Sequence, residues 1–217
     1  MHAFRAAVPH LTGHIGPRLL LIAIYAAVFY QFFWSVPHAG VFIGMVRPLN
    51  PGETMDISAC VYPIAYMLFG LGLQLEQPSR YLCVPDYLVY VRKPRGLAHY
   101  LRYLAVITAY CIAYTLPQTL ITAWLLPEVD RGELTRTSIG AALILIALTL
   151  IVNLAYLADM RGIGYGMACL VYLLSIALPP VRQALGHATA GGFGAAACLI
   201  GVLVCANWLA FEHVPIR

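Results

Sequence analysis

Six stretches of this chain run on with no Asp, Glu, Lys, Arg or His near their centres, at residues 18–36, 57–75, 99–126, 138–158, 163–178 and 190–211. About 20 apolar residues in a helix cross the roughly 30 Å hydrocarbon core of a bilayer. A helix also satisfies its own backbone hydrogen bonds, which hydrocarbon cannot do for it. The pattern therefore predicts an all-α fold: a polytopic membrane protein of six transmembrane helices, with residues 1–217 as a single transmembrane domain. Composition agrees, since 61% of residues are hydrophobic and 10% charged, against about 25% charged in soluble domains.

The intervals have their own logic. Residues 37–56 carry Pro37, Pro48 and Pro51 and read as a turn-rich loop, with Thr54 to Asp56 as caps for the next helix. Residues 127–136 read as a short charged loop, 159–162 as a tight turn, and the segment after Pro179-Pro180 as a short loop holding Arg182 and His187. Pro63 and Pro117 lie inside spans, where neighbouring helices must accommodate them. The third stretch, at about 28 residues or about 42 Å, outreaches the membrane, so its first turns with His99 and Arg102 are expected to project from it. The first stretch ends in Phe32, Phe33 and Trp34 with no small-residue cleavage site, and is expected to be a retained span.

Six spans put both termini on one side. With the termini inside, the inner cations are Arg5, Arg18, Arg80, Arg92, Lys93, Arg95, Arg102, Arg161 and Arg217, and the outer ones are Arg47, Arg131, Arg136 and Arg182. That excess predicts cytosolic termini and a cytosolic loop at 76–98. The net charge of +4 is thereby accounted for by topology, and no nucleic-acid partner is expected.

The motifs that carry common chemistries are missing. There is no G-x-x-x-x-G-K-[ST], no H-E-x-x-H and no G-x-S-x-G. Spans without ionisable centres disfavour a proton-coupled transporter or a haem protein. The pair His10 and His14 has no further ligand beside it, and five of the six cysteines lie in apolar runs as small hydrophobes. No catalytic residue, bound cofactor or metal site is assigned, and the chain is not expected to be an enzyme. Neutral polar groups remain inside. Gln31, Tyr66, Tyr114, Gln118 and Asn153 are candidates to line a substrate path, although amides and tyrosines in spans also serve to bridge helices or to sit at interfaces. The last stretch has small residues at i, i+4 spacing, for example Ala197, Gly201 and Cys205, suited to close packing within the bundle or against a second copy.

The loop at 76–98 is the densest cationic interval, with Arg80, Arg92, Lys93 and Arg95 against Glu76 and Asp86. Within it, Pro85-Asp86 opens a short helix on which Tyr87 and Tyr90 share a face, and Arg92-Lys93-Pro94-Arg95 ends it. Such an element suits a groove on another protein, or the lipid headgroups.

In the order Glu76, Ser79-Arg80, Tyr87 to Val91, then Arg92-Lys93-Pro94-Arg95, the loop resembles that of the small permease subunits of type-2 ABC exporters, of the bacterial multidrug and antimicrobial-peptide kind. The turn at 159–162 and the polar tail fit the same resemblance. It implies a multi-pass protein of the bacterial cytoplasmic membrane that exports an amphipathic peptide, lipid or drug. It implies two permease chains, the same or related, and separate ATPase chains that hold ATP and Mg. Asp86, Tyr87, Tyr90, Arg92, Lys93 and Arg95 would form the coupling helix on the ATPase. Two other readings compete: a six-helix capture subunit of a vitamin-type transporter, and a non-catalytic membrane accessory protein.

Overall fold

The computed structural model describes residues 15–35, 44, 57–74, 77–83, 96–186 and 190–213. All regular structure among them is helical: α1 (Ile15–Ser35), α2 (Ile57–Gly72), α3 (Gln77–Leu82), α4 (Leu97–Leu125), α5 (Arg131–Leu157), α6 (Arg161–Ala177), α7 (Pro179–Gly186) and α8 (Ala190–His213). Among the described residues α1, α4, α5 and α8 are long and apolar enough to cross a membrane. With 16 and 17 residues, α2 and α6 are shorter. Several long apolar helices of this kind are compatible with a multi-pass membrane protein.

The bundle is built around α5. It packs on α4, α6 and α8 and also touches α2 and α3. Half of its most apolar window is buried within the chain, against 6% for α8, so α5 is the interior helix and α8 a peripheral one. On α4 the buried residues Tyr100, Tyr103, Ile107, Cys111, Thr115, Gln118 and Thr122 recur every three or four positions, which marks a single inward face. The opposite faces expose Leu120, Leu170 and Val202, as lipid permits.

Three boundaries depart from the sequence expectation. Helix α5 starts at Arg131, well before residue 138, because the Asp130 carboxylate caps it: Oδ1 accepts from Gly132 N and Oδ2 from Glu133 N, each at 3.1 Å. The charged interval expected to be a loop is therefore largely the first turns of the helix. The interval that holds Arg182 is likewise helical, as α7, because Pro179 and Pro180 stand where a first turn has no use for their missing N–H groups. At the base of the loop, residues 77–82 form α3. The turn at 159–162 does form. Asp159 takes φ 61°, Asp159 N donates to Tyr156 O and Met160 N to Ala155 O, a paired bonding that closes the end of α5. The caps expected at Thr54 to Asp56 lie outside the described residues.

Small residues do two different jobs. On α6, Gly164, Ala168, Tyr172 and Ile176 form the buried stripe. A Cβ at Gly164 would stand 2.9 Å from Ala155 Cβ and 3.1 Å from Val152 O, so only glycine allows this approach to α5. On α8 the small face looks outward: Gly194, Cys198, Gly201 and Cys205 are exposed, and a Cβ on Gly194 or Gly201 would meet nothing within 4 Å.

Because the obstacles at Gly164 include backbone atoms that cannot swing away, Gly164→Val is expected to destabilise the fold by about 1–3 kcal/mol. Gly166→Ala, where the added carbon meets nothing within 4 Å, should leave stability unchanged. Thermal unfolding of both variants in detergent checks the contrast.

Candidate functional site

Where α1, α2 and α4 meet, tyrosines and one amide form a connected polar seam. Tyr25 donates its hydroxyl proton to Gln118 Oε1. Gln118 Nε2 donates to the Tyr114 carbonyl at 2.8 Å, and Tyr114 OH to the Tyr66 carbonyl at 2.9 Å. The hydroxyls of Tyr66 and Thr115 are hydrogen-bonded, and Tyr110 OH donates to Gly70 O at 2.7 Å. The rings of Tyr25 and Tyr66 lie 5.8 and 5.0 Å from that of Tyr114. A Cβ at Gly70 would stand 2.9 Å from Leu145 Cδ1 and 3.0 Å from Tyr114 Cε1, so glycine is what lets the helices close on the seam.

Of the five residues expected to line a path, Tyr66, Tyr114 and Gln118 therefore come together. Asn153 lies elsewhere, on the α5–α8 contact, where its Nδ2 donates to Asn207 Oδ1 at 2.7 Å. Asn207 Nδ2 donates in turn to Leu150 O and Leu203 O. Gln31 is apart from both groups: it is exposed on α1 and donates to Ser35 Oγ on the same helix. Two further polar links join the interior helix to its neighbours. Gln74 Nε2 donates to Thr149 Oγ1 at 2.8 Å, and Thr119 Oγ1 to Ser138 Oγ at 2.9 Å. Most of these interior amides and hydroxyls bond across helix contacts, to side chains or backbone carbonyls, which is helix bridging, while the buried Tyr103 hydroxyl and Asn153 Oδ1 meet no partner.

The proposed docking residues Asp86, Tyr87, Tyr90, Arg92, Lys93 and Arg95 all lie outside the described residues. The base from which they depart is described. Arg18 of α1 donates to Gln77 Oε1 of α3. A ring nitrogen of His99, on the first turn of α4, hydrogen-bonds the Leu82 carbonyl at 3.2 Å. The His99 ring lies 5.4 Å from Tyr81 and 6.1 Å from Phe211 of α8. At the next residue, Tyr100 OH donates to Val204 O, and its ring lies 5.2 Å from Trp208. The N-terminal end of α1, the helix α3, the start of α4 and the C-terminal end of α8 thus form one connected platform.

Fold and seam together describe an all-helical, tyrosine-rich bundle compatible with a multi-pass membrane protein. No family model matches the chain, and neither curated proteins nor solved structures show a significant likeness to it.

Sequence reasoning singled out Tyr66, Tyr114 and Gln118 for a path; Tyr25 and Tyr110 stood only among the many tyrosines in or beside spans, and Thr115 was passed over. The signal was present in part: Tyr110, Tyr114 and Gln118 stand at i, i+4, i+8 on α4. A double-mutant cycle with Asn153→Ala and Asn207→Ala should return a coupling of about 0.5–2 kcal/mol, the range of side-chain bonds between membrane helices. Unfolding in mixed micelles measures it, and a coupling of zero would mean that the amide pair contributes nothing to the α5–α8 contact.

Proposed function

We propose that this chain is the permease subunit of an ATP-driven ABC transporter of the bacterial cytoplasmic membrane, and that it exports an amphipathic peptide, lipid or drug. The observation that carries the reading is the platform formed by the ends of α1, α3, α4 and α8. Residues 84–95 join α3 to α4 in the sequence, and at the platform α3 is tied to α1 and to α4, and α4 to α8. A load applied at Tyr87, Tyr90 and the flanking Arg92, Lys93 and Arg95 would pass into α4, a 29-residue helix that reaches the tyrosine seam and α5. An ATPase on a separate chain, with its ATP and Mg, would supply that load.

The same connections support the six-span topology. α1 starts and α8 ends at the platform, which is what an even number of crossings would require. In that topology the platform is cytosolic and the cations Arg18, Arg80 and Arg102 lie on the inner side. The outward small-residue face of α8 suits a second permease chain. Rearrangement of the seam around Tyr66, Tyr114 and Gln118 would open the path.

Co-expression with a P-loop ATPase encoded beside it tests the assignment. The wild-type chain should co-purify with the ATPase and stimulate its turnover, and the double variant Tyr87→Ala, Tyr90→Ala should lose both while the bundle still folds. Full association of that variant would remove the docking role. Tight capture of a small vitamin by the isolated chain would favour the vitamin-transporter reading instead. Topology is checked separately by single-cysteine labelling in a cysteine-free background: positions 93 and 213 should react from the cytosol, and position 131 from outside.

A further inference from the structure

Arg182 sits in the first turn of α7, and only 8% of its surface is exposed. Its Nε is buried and meets no acceptor, and among the described residues its guanidinium makes no hydrogen bond or ion pair. Arginines are almost never buried this far without a partner, because removing the charge from water is costly. A counter-charge is therefore expected at this place.

Two features fix its sign and its location. Helical side chains lean toward the N-terminus of their helix. At that start Pro179 and Pro180 carry no N–H and Arg182 N already donates to Leu178 O, so the guanidinium is the cationic group there. No acidic residue stands in that first turn to offset it, and its charge favours an anion.

The spot lies at the level of a membrane boundary. α7 leads directly into α8, one of the helices able to cross a bilayer. α8 ends where α4 begins, since Phe211 in the last turn of α8 lies 6.1 and 6.3 Å, ring to ring, from His99 and Tyr100 in the first turn of α4. The far end of α4 is thus at the same end of the bundle as α7, and it carries Trp124, 80% exposed, the kind of residue that marks the lipid headgroup layer. The abundant anion in that layer is phosphate, which a guanidinium can grip with two parallel hydrogen bonds.

We propose that Arg182, in the first turn of α7, binds the phosphate group of a phospholipid in the leaflet at that end of the bundle. The lipid would complete the charge pairing of the segment between α6 and α8. The site does not depend on the chain being a transport subunit.

The test uses the full chain in dodecyl maltoside, titrated with dioleoylphosphatidylglycerol, with dioleoylglycerol, or with inorganic phosphate. Thermal midpoint and native mass spectrometry are read together. The phospholipid should raise the midpoint and remain as a mass adduct, whereas phosphate-free dioleoylglycerol should do neither. Arg182→Gln should weaken adduct retention by about tenfold, the scale of a lost charge-assisted pair. Arg182→Lys, which keeps the charge but not the fork, should fall between the two. An equal adduct with Arg182→Gln, or an equal response to dioleoylglycerol, overturns the site. An equal response to inorganic phosphate overturns the lipid as its source. The wild-type comparison of the two lipids decides the matter even where a variant does not fold.

Discussion

A polar side chain inside a membrane bundle has no water to turn to, and the architecture of this chain follows from that constraint. The interior helix α5 is mostly apolar, yet it is joined to three neighbours through a few polar links: Ser138 to Thr119 on α4, Thr149 to Gln74 just beyond α2, and Asn153 and the Leu150 carbonyl to Asn207 on α8. Apolar packing alone discriminates poorly between one rotation of a helix and the next, because lipid is as apolar as leucine. A bonded amide or hydroxyl exists in one register only. Slide α8 by a turn and Asn153, with no exposure at all, would lose its partner.

The tyrosine seam applies the same constraint a second time. Tyr25, Tyr66, Tyr110 and Tyr114 each bring a large apolar ring and one hydroxyl, and every one of those hydroxyls meets an oxygen on another helix. Three of those acceptors are a backbone carbonyl or a short side chain, so the rings must lie close to the helix axes. Gly70 supplies the room. α1 is thereby held to α4 at Tyr25 and to the platform at Arg18. The long helix α4 belongs to both regions, and movement at its first turn is expected to be felt at Thr115 and Gln118.

Much of this was legible in the sequence. Apart from the start of α5, the long helices stand within a few residues of the apolar runs, because an apolar run of such length has one good solution in lipid. The turn at Asp159 was legible from its residue types. The start of α5 was not: a charged stretch reads as a loop until one sees Asp130 accepting two backbone N–H groups. Nor was α7, since two consecutive prolines read as a stop although they also suit a first turn. Within the candidate site, the polar residues could be listed from the sequence, but Gln31 and Asn153 looked equivalent to Gln118 there.

What the sequence alone determined is the class: apolar runs of membrane length, few charges, and cations gathered in intervals point to a helical protein compatible with a multi-pass membrane protein. What only the tertiary structure decided is which groups face one another. Asn153 pairs with Asn207, Gln118 joins the tyrosines, Gln31 looks outward, and Arg182 is buried with its Nε unpartnered among the described residues. The reason is physical. Hydrophobicity is a property of each residue and is additive along the chain, whereas a hydrogen bond requires two groups to meet at about 3 Å, and that meeting depends on how whole helices rotate and pack.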